Sequence, residues 1–248
     1  MKINQLYFCL FLSFLITEAF SQDSSVHFNG FIKFEKKMNV HAIIDSLIAQ
    51  APQAKAELEP GKKKSDKFYT EEFTLSFDSS RTFYQQAEKS KLPLMMLKKT
   101  SVFSSLGSRI LFSEKVIPGN DIVVKDSMPN ILWRLTNESR EICGLECRRA
   151  DGLLWDSVYI VAFFAEAIPI SGGPESFNGL PGLILEVHIP NEHTSWTAYE
   201  ISYDKNLNDT EIKEFQNLKV ISKDKYLELI KPYVNNPLSK FLSRQLLL

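Results

Sequence analysis

Glu186 and His188 are the residues whose types and spacing come nearest to chemistry in this chain. They stand two apart in Leu183-Ile184-Leu185-Glu186-Val187-His188-Ile189, so on an extended strand both side chains share one face, opposite Leu185 and Val187. A carboxylate beside an imidazole can pass a proton or give a divalent metal two of its ligands, which makes the pair the candidate metal site of a metal-dependent hydrolase. Glu166, Glu175 and His193 flank the pair and complete the titratable set. A strand with one wet face and one buried face shows the same alternation with no chemistry attached. Ser171 precedes two glycines but forms no G-x-S-x-G elbow, and neither GxxxxGK[ST] nor GxGxxG occurs here. No catalytic residue and no cofactor is therefore expected.

The thiols offer a second candidate. Of three cysteines, Cys9 falls in an N-terminal leader, which leaves Cys143 and Cys147 in Ile-Cys-Gly-Leu-Glu-Cys. An even pair in an oxidising compartment reads as a disulfide. Four residues along one strand would hold the Cα atoms about 13 Å apart, whereas a bridge needs less than about 7 Å, so the bond demands a turn at Gly144. Two free thiols are the next reading. A metal site comes third, because it needs further ligands and no C-x-x-C or H-x-x-x-H lies nearby.

The strand carrying Glu186 and His188 is fed by a loop crowded with Gly172, Gly173, Gly179, Gly182, Pro169, Pro174 and Pro181. Glycine admits positive φ and proline fixes φ near −65°, so the mixture predicts a rigid, repeatedly turned segment packed on a sheet, with Pro181-Gly182 as a type II turn. A ligand-binding loop is the alternative. Residues 177–187, FNGLPGLILEV, resemble the signature of the GLPGLI family, a group of secreted proteins from Gram-negative bacteria with no settled activity. The hexamer Gly179-Leu180-Pro181-Gly182-Leu183-Ile184 is intact, and Phe163, Glu166, Ile168-Pro169, Gly173-Pro174 and Phe177 follow the family's approach to it. Upstream, Trp133, Leu135, Ile142, Gly144, Leu145, Cys147, Arg149 and Ala150 are similar to its second motif, with Leu145, Arg149 and Phe163 replacing an aromatic, a Lys and a Trp. The resemblance makes Glu166, Pro169, Gly173, Pro174, Phe177, Gly179, Leu180, Pro181, Gly182 and Leu183 the motif or ligand-loop candidates. It implies a family and no activity.

The elements that must hold these residues are mostly strands. Period-two alternation at Phe73-Thr74-Leu75-Ser76-Phe77, a turn at Asp78-Ser79-Ser80 and a second run at 81–85 predict a hairpin. Further strands are expected near 26–36, 109–116, 122–125, 131–136, 141–150, 157–164, 183–189 and 196–203, with turns at 118–120 and 128–130. Helical spacing marks Val40 to Gln50, and 52–67 reads as a charged loop. The C-terminus is expected to be helical from about 209, with Ser222 capping one helix and Pro237 opening another. Eighteen Phe and eight Tyr suit strands better than a bundle. The fold class is thus mainly β: a large antiparallel meander or half-barrel sheet with a few peripheral helices, in one domain over 22–248.

Residues 1–21 read as a signal peptide, with Lys2, an apolar core from Leu6 to Ile16, and small Ala19 and Ser21 before the cleavage point. That core is shorter than the roughly 20 residues a bilayer span needs, and no transmembrane segment follows it. A formal net charge of −1 argues against a nucleic-acid partner. The expected function is an exported, non-catalytic binding or interaction module of the cell envelope, its partner an envelope protein or an apolar ligand. A periplasmic carrier of an apolar or lipid-like ligand is the alternative, since aromatic-rich sheets can curve around such molecules.

Overall fold

The structure is a computed structural model that describes residues 29–87, 101–117, 120–155, 157–203, 207, 212–213, 215 and 217–231. The expected signal peptide, the connection at 89–97 and the helix expected from Pro237 lie outside the described residues. Among the described residues twelve strands form one open sheet. They are β1 (Gly30–Asn39), β2 (Phe68–Phe77), β3 (Arg81–Gln86), β4 (Ser101–Ser105), β5 (Ile110–Ile117), β6 (Asn120–Ser127), β7 (Ile131–Ile142), β8 (Leu145–Leu154), β9 (Val158–Ala165), β10 (Leu183–Ile189), β11 (Thr194–Tyr203) and β12 (Val220–Ser222). Their order is β12-β6-β5-β4-β3-β2-β1-β11-β10-β9-β8-β7, antiparallel throughout except for β12, which runs parallel to β6.

The mainly β fold class is as the alternation predicts, but the path is not a single meander. β1 stands in the middle, with β2 to β6 stepping away on one side and β11 back to β7 on the other. Consequently β6 and β7 lie at opposite ends of the sheet although only Met128, Pro129 and Asn130 connect them. An extended residue covers at most about 3.6 Å, so the four steps from Ser127 to Ile131 reach roughly 14 Å. The sheet must curl until its two ends nearly meet. The sheet stays open, with its seam between β7 and the β6 edge that β12 covers.

Local sequence explains most of the strands. In β1 the residues Ile32, Phe34, Lys36 and Met38 face inward and are buried, while their neighbours face out. Asp78 ties the β2–β3 turn, its Oδ1 accepting from the backbone N–H groups of Ser80 and Arg81 at 2.8 Å each. The predicted strand at 141–150 is instead broken by a two-residue turn between β7 and β8. Cys143 and Gly144 both take positive φ there, 53° and 78°, the geometry of the type I′ turn that matches strand twist.

Three α-helices with described bounds are peripheral. α1 (Val40–Gln50) is capped by Asn39, whose Oδ1 accepts from Ala42 N at 3.1 Å. The stretch 52–67, expected to be a loop, carries a 3-10 turn and then α2 (Lys55–Lys64) in spite of Pro60. Glu57 in its first turn and Lys62, Lys63 and Lys64 in its last suit the helix dipole, and Lys62 pairs with Asp45 of α1. α3 (Lys223–Ile230) starts at Ser222, as expected, with Ser222 Oγ accepting from Lys225 N at 3.3 Å.

The C-terminal segment manages the β6 end of the sheet from both sides. Tyr226 and Ile230 of α3 pack on Ile122 and Val124, while Leu207, Ile212 and Phe215 pack with Phe83, Phe103 and Val123 on the opposite face. β12 adds its three residues along the edge of β6. Among the described residues no helix is long and apolar enough to cross a membrane.

Candidate functional site

The Gly/Pro loop, 166–182, fills the inside of the curled sheet. Ile168, Ile170, Phe177 and Leu180 belong to the same buried cluster as Ile32, Phe34, Leu75, Phe77, Tyr84 and Val102, and Leu183 is wholly buried. Phe177 meets Trp196 of β11 edge to face at 5.4 Å between ring centroids. The loop is stitched to its surroundings. Leu183 N donates to Ile168 O and Ile184 N to Gly172 O at 2.9 Å each, Trp133 Nε1 donates to Asn178 O at 2.8 Å, and Asn178 Nδ2 donates to Pro129 O at 3.1 Å.

This placement separates the motif residues into two groups. Gly173, Pro174, Phe177, Leu180, Gly182 and Leu183 are buried, whereas Glu166, Pro169, Gly179 and Pro181 are exposed. Glu166 reaches only Arg148, at 3.7 Å, on the outside. An apolar groove beside Leu180 to Leu183, which a lipid carrier would require, is occupied by the loop's own side chains. The type II turn expected at Pro181-Gly182 is not formed either, because the positive φ belongs to Gly179, at 96°. Gly182 serves a different need: a Cβ there would lie 2.2 Å from Ala165 O. Close backbone approach, not a left-handed conformation, demands the glycine.

Beneath the loop sits a buried ionic cluster that the sequence reading left unassembled. Glu175, which holds φ at 50°, accepts from Lys36 Nζ at 2.8 Å and from Trp196 Nε1 at 3.1 Å. Both partners of the pair are nearly sealed, with side-chain exposures of 8% and 3%. Lys115 on β5 shares this interior and is itself 8% exposed, yet it forms no ion pair among the described residues. Within this cluster the two lysines, Lys36 and Lys115, face the one carboxylate of Glu175. Burial pushes the Lys115 ammonium down to about 8, with Glu175 opposing the shift and Lys36 and Lys223 adding to it.

Lys115 lines a cavity of about 290 Å³ at the seam, bounded by Leu111, Val124, Met128, Trp155, Ser176 and Tyr226 together with Asp126 and Lys223. The hydroxyls of Ser176 and Tyr226 are buried and have no hydrogen-bond partner among the described residues. Lys223 pairs with Asp126 at 2.7 Å and fastens α3 across this cavity. Trp155 is 36% exposed and stands at the cavity wall.

Lys115 has a pH signature. A lysine whose folded value lies near 8 rather than 10.5 sheds its proton in the folded state first, so its penalty is full below pH 8 and fades as pH rises towards 10.5. Lys115→Met is therefore expected to be more stable than the parent at pH 7, by at most about 3 kcal/mol, with the difference shrinking between pH 8 and 10.5. Urea unfolding of both proteins across that range checks it.

Glu186 and His188 do meet, on the outer face of β10, but the geometry disfavours a metal. His188 Nε2 and Glu186 Oε1 lie 2.5 Å apart, and Arg140 takes the second carboxylate oxygen at 3.0 Å while stacking 3.5 Å from the centre of the Phe163 ring. A guanidinium seated on the carboxylate repels a divalent cation and uses the lone pairs it would need. Among the described residues no group of three or more His, Cys, Asp or Glu could hold a metal ion. The neighbouring open cleft, about 500 Å³, is bordered by Lys37, Arg140, Arg149, His188 and His193, but Arg140 and Arg149 are already matched by Glu186, Glu138 and Asp151. It offers little unbalanced charge.

Cys143 and Cys147 are free thiols. The turn that a disulfide required exists, but Cys143 is exposed at its tip while Cys147 is buried on β8 with Sγ donating to Leu145 O at 3.5 Å. Burial raises both thiols, Cys147 to about 11, which disfavours the reactive thiolate. Iodoacetamide is expected to label Cys143 slowly and Cys147 only after unfolding, which peptide mass spectrometry will show.

A family described as a protein of unknown function, Porph_ging, matches residues 152–186, from the end of β8 through the loop into β10. That span takes in most of the segment carrying the GLPGLI resemblance. No curated protein matches. Two solved structures of PNGF-II have a similar fold. The one in a P21 space group is 13% identical with a TM-score of 0.56 over 82% of this chain and 33% of its own. The one in a C2 space group is 14% identical with a TM-score of 0.55 over 82% of this chain and 32% of its own. This chain thus spans about a third of the length of those structures, and at such identity the likeness is one of fold: a chain similar to a family of unknown function, on a curled sheet also found within larger proteins.

Proposed function

We propose that this chain is an exported, non-catalytic binding module that holds a small molecule in the interior cavity at the seam of its curled sheet. One observation carries the reading: the buried Ser176 and Tyr226 hydroxyls, without hydrogen-bond partners among the described residues, share the wall of one cavity with Lys115, a buried lysine that forms no ion pair there. Folding disfavours such groups unless something satisfies them. Packing alone would have filled this site with apolar side chains, as it did around Phe177 and Leu180. The size supports a compact ligand over a lipid. A volume near 290 Å³ falls at the lower end of the range small-molecule pockets occupy.

Two candidates for chemistry among the described residues are restrained: burial raises the Cys147 thiol to about 11, and Arg140 holds the Glu186 carboxylate that meets His188. Export rests on the N-terminal leader and is tested by cell fractionation. Binding is tested by native mass spectrometry of the mature protein isolated from its own cells. A bound mass that leaves on denaturation, and that is lost when Ser113→Phe fills the cavity, is the expected result. An unliganded chain in repeated preparations sinks the reading.

A further inference from the structure

The charge inventory of the cavity identifies its ligand class, and this step rests on the binding reading above. Lys36 and Glu175 cancel at 2.8 Å, and Lys223 and Asp126 cancel at 2.7 Å. Lys115 remains, a buried cation with no ion pair of its own among the described residues, since the nearby Glu175 is already paired with Lys36. A buried ammonium that keeps its proton requires an anion beside it. Ser176 and Tyr226 add hydroxyl donors at the same wall, while Leu111, Val124, Met128 and Trp155 supply an apolar and aromatic surround.

We propose that the cavity binds a small organic monocarboxylate, with its carboxylate on Lys115, Ser176 and Tyr226 and its apolar body against Trp155, Met128 and Leu111. One uncompensated positive charge matches one negative charge. A phosphate monoester carries about −1.5 to −2 at neutral pH and would need a second free cation, which Lys223 cannot supply while it is held by Asp126. A neutral apolar molecule would leave the ammonium and both hydroxyls unmatched. The Gly/Pro loop takes part directly, because Glu175 neutralises Lys36 and so leaves Lys115 as the single unmatched charge, while Ser176 sits in the wall. α3 contributes Tyr226 and closes the seam, with the Lys223–Asp126 pair fastening it.

The other charged groups around Lys115 are Glu175 on the loop, Lys36 on β1, Asp126 on β6 and Lys223 on α3. As pH rises through the titration of Lys115, the carboxylate loses its partner. Affinity is therefore expected to fall above that point while a neutral ligand's affinity stays level.

Calorimetric titration at pH 7 of the mature protein, delipidated and dialysed, tests the assignment with benzoate, its neutral counterpart benzyl alcohol, and inorganic phosphate as probes. Benzoate is expected to bind at least tenfold more tightly than benzyl alcohol, in keeping with a charge-assisted hydrogen bond, and phosphate not to saturate. Lys115→Met should abolish the preference for benzoate over benzyl alcohol. Ser176→Ala is a milder second variant, expected to weaken benzoate. Equal binding of benzoate and benzyl alcohol overturns the carboxylate assignment but leaves a binding cavity in place. Tighter binding of phosphate overturns it too. Failure of all three probes while native mass spectrometry still shows a bound molecule refutes the ligand class only, whereas failure of both measurements removes the binding reading with it.

Discussion

Glu175→Ala is expected to destabilise the protein by about 3 to 5 kcal/mol, the range seen when one partner of a buried ion pair is removed. The carboxylate accepts from both Lys36 Nζ and Trp196 Nε1 and is the one negative charge between Lys36 and Lys115. Without it two ammonium groups share a low-dielectric interior, and the Trp196 N–H loses its acceptor. The double variant Glu175→Met with Lys36→Met should recover most of the loss, because removing both charges also removes the desolvation penalty. Chemical denaturation with a common slope measures both effects. A cost below 1 kcal/mol for the single variant would mean that water reaches the pair and that the loop does not seal the interior.

Gly182→Ala is expected to cost about 3 kcal/mol, at the upper end of overpacking changes. Its new Cβ would sit 2.2 Å from Ala165 O and 2.9 Å from Glu166 Cα, and backbone atoms cannot swing aside as a side-chain tip can. The expected damage is local as well as energetic. The loop's anchor bonds, Leu183 N to Ile168 O and Ile184 N to Gly172 O, lie beside this contact and should exchange their amide hydrogens faster. Gly107→Ala, where a Cβ meets nothing within 4 Å, is the matched control and should be nearly silent. Similar losses in both variants would contradict the close-approach account.

Much of the sheet was legible because its information is local. Alternation at Phe73, Leu75 and Phe77 and the apolar run at Leu183 to Ile189 give the observed strands directly. α1 is legible for the same reason, since apolar residues at helical spacing around the buried Leu47 and a capping Asn are short-range features. Strand order was not. Nothing within Met128-Pro129-Asn130 says that it joins opposite ends of a sheet rather than neighbours, because curl is a property of the whole ribbon. The helix at Lys55–Lys64 was hidden by Pro60 and a lack of large apolar residues, and the α1 contact that supports it is long-range.

The candidate site was legible only in outline. The Gly/Pro loop drew attention by composition, and its burial follows from Ile168, Ile170, Phe177 and Leu180. The ionic cluster beneath it draws Lys36, Lys115 and Glu175 from positions far apart in the chain, so no local spacing could announce it. The one available signal was Lys36, charged and in phase with the buried Ile32 and Phe34 of β1. Glu186 and His188 show the opposite case. Their shared face was predicted correctly, but Arg140, forty-six residues away by the register of β7 on β8, decides what the pair can do.

The interior cavity is best examined with 4-bromobenzoate soaked into crystals of the mature protein and located by anomalous scattering from bromine. One peak inside the cavity, against Trp155 and Met128 with the carboxylate directed to Lys115, is the expected result, and it should disappear in Lys115→Met. An empty cavity beside a well-ordered loop, or bromine found at the outer cleft of His188 and Arg140 instead, would contradict the assignment.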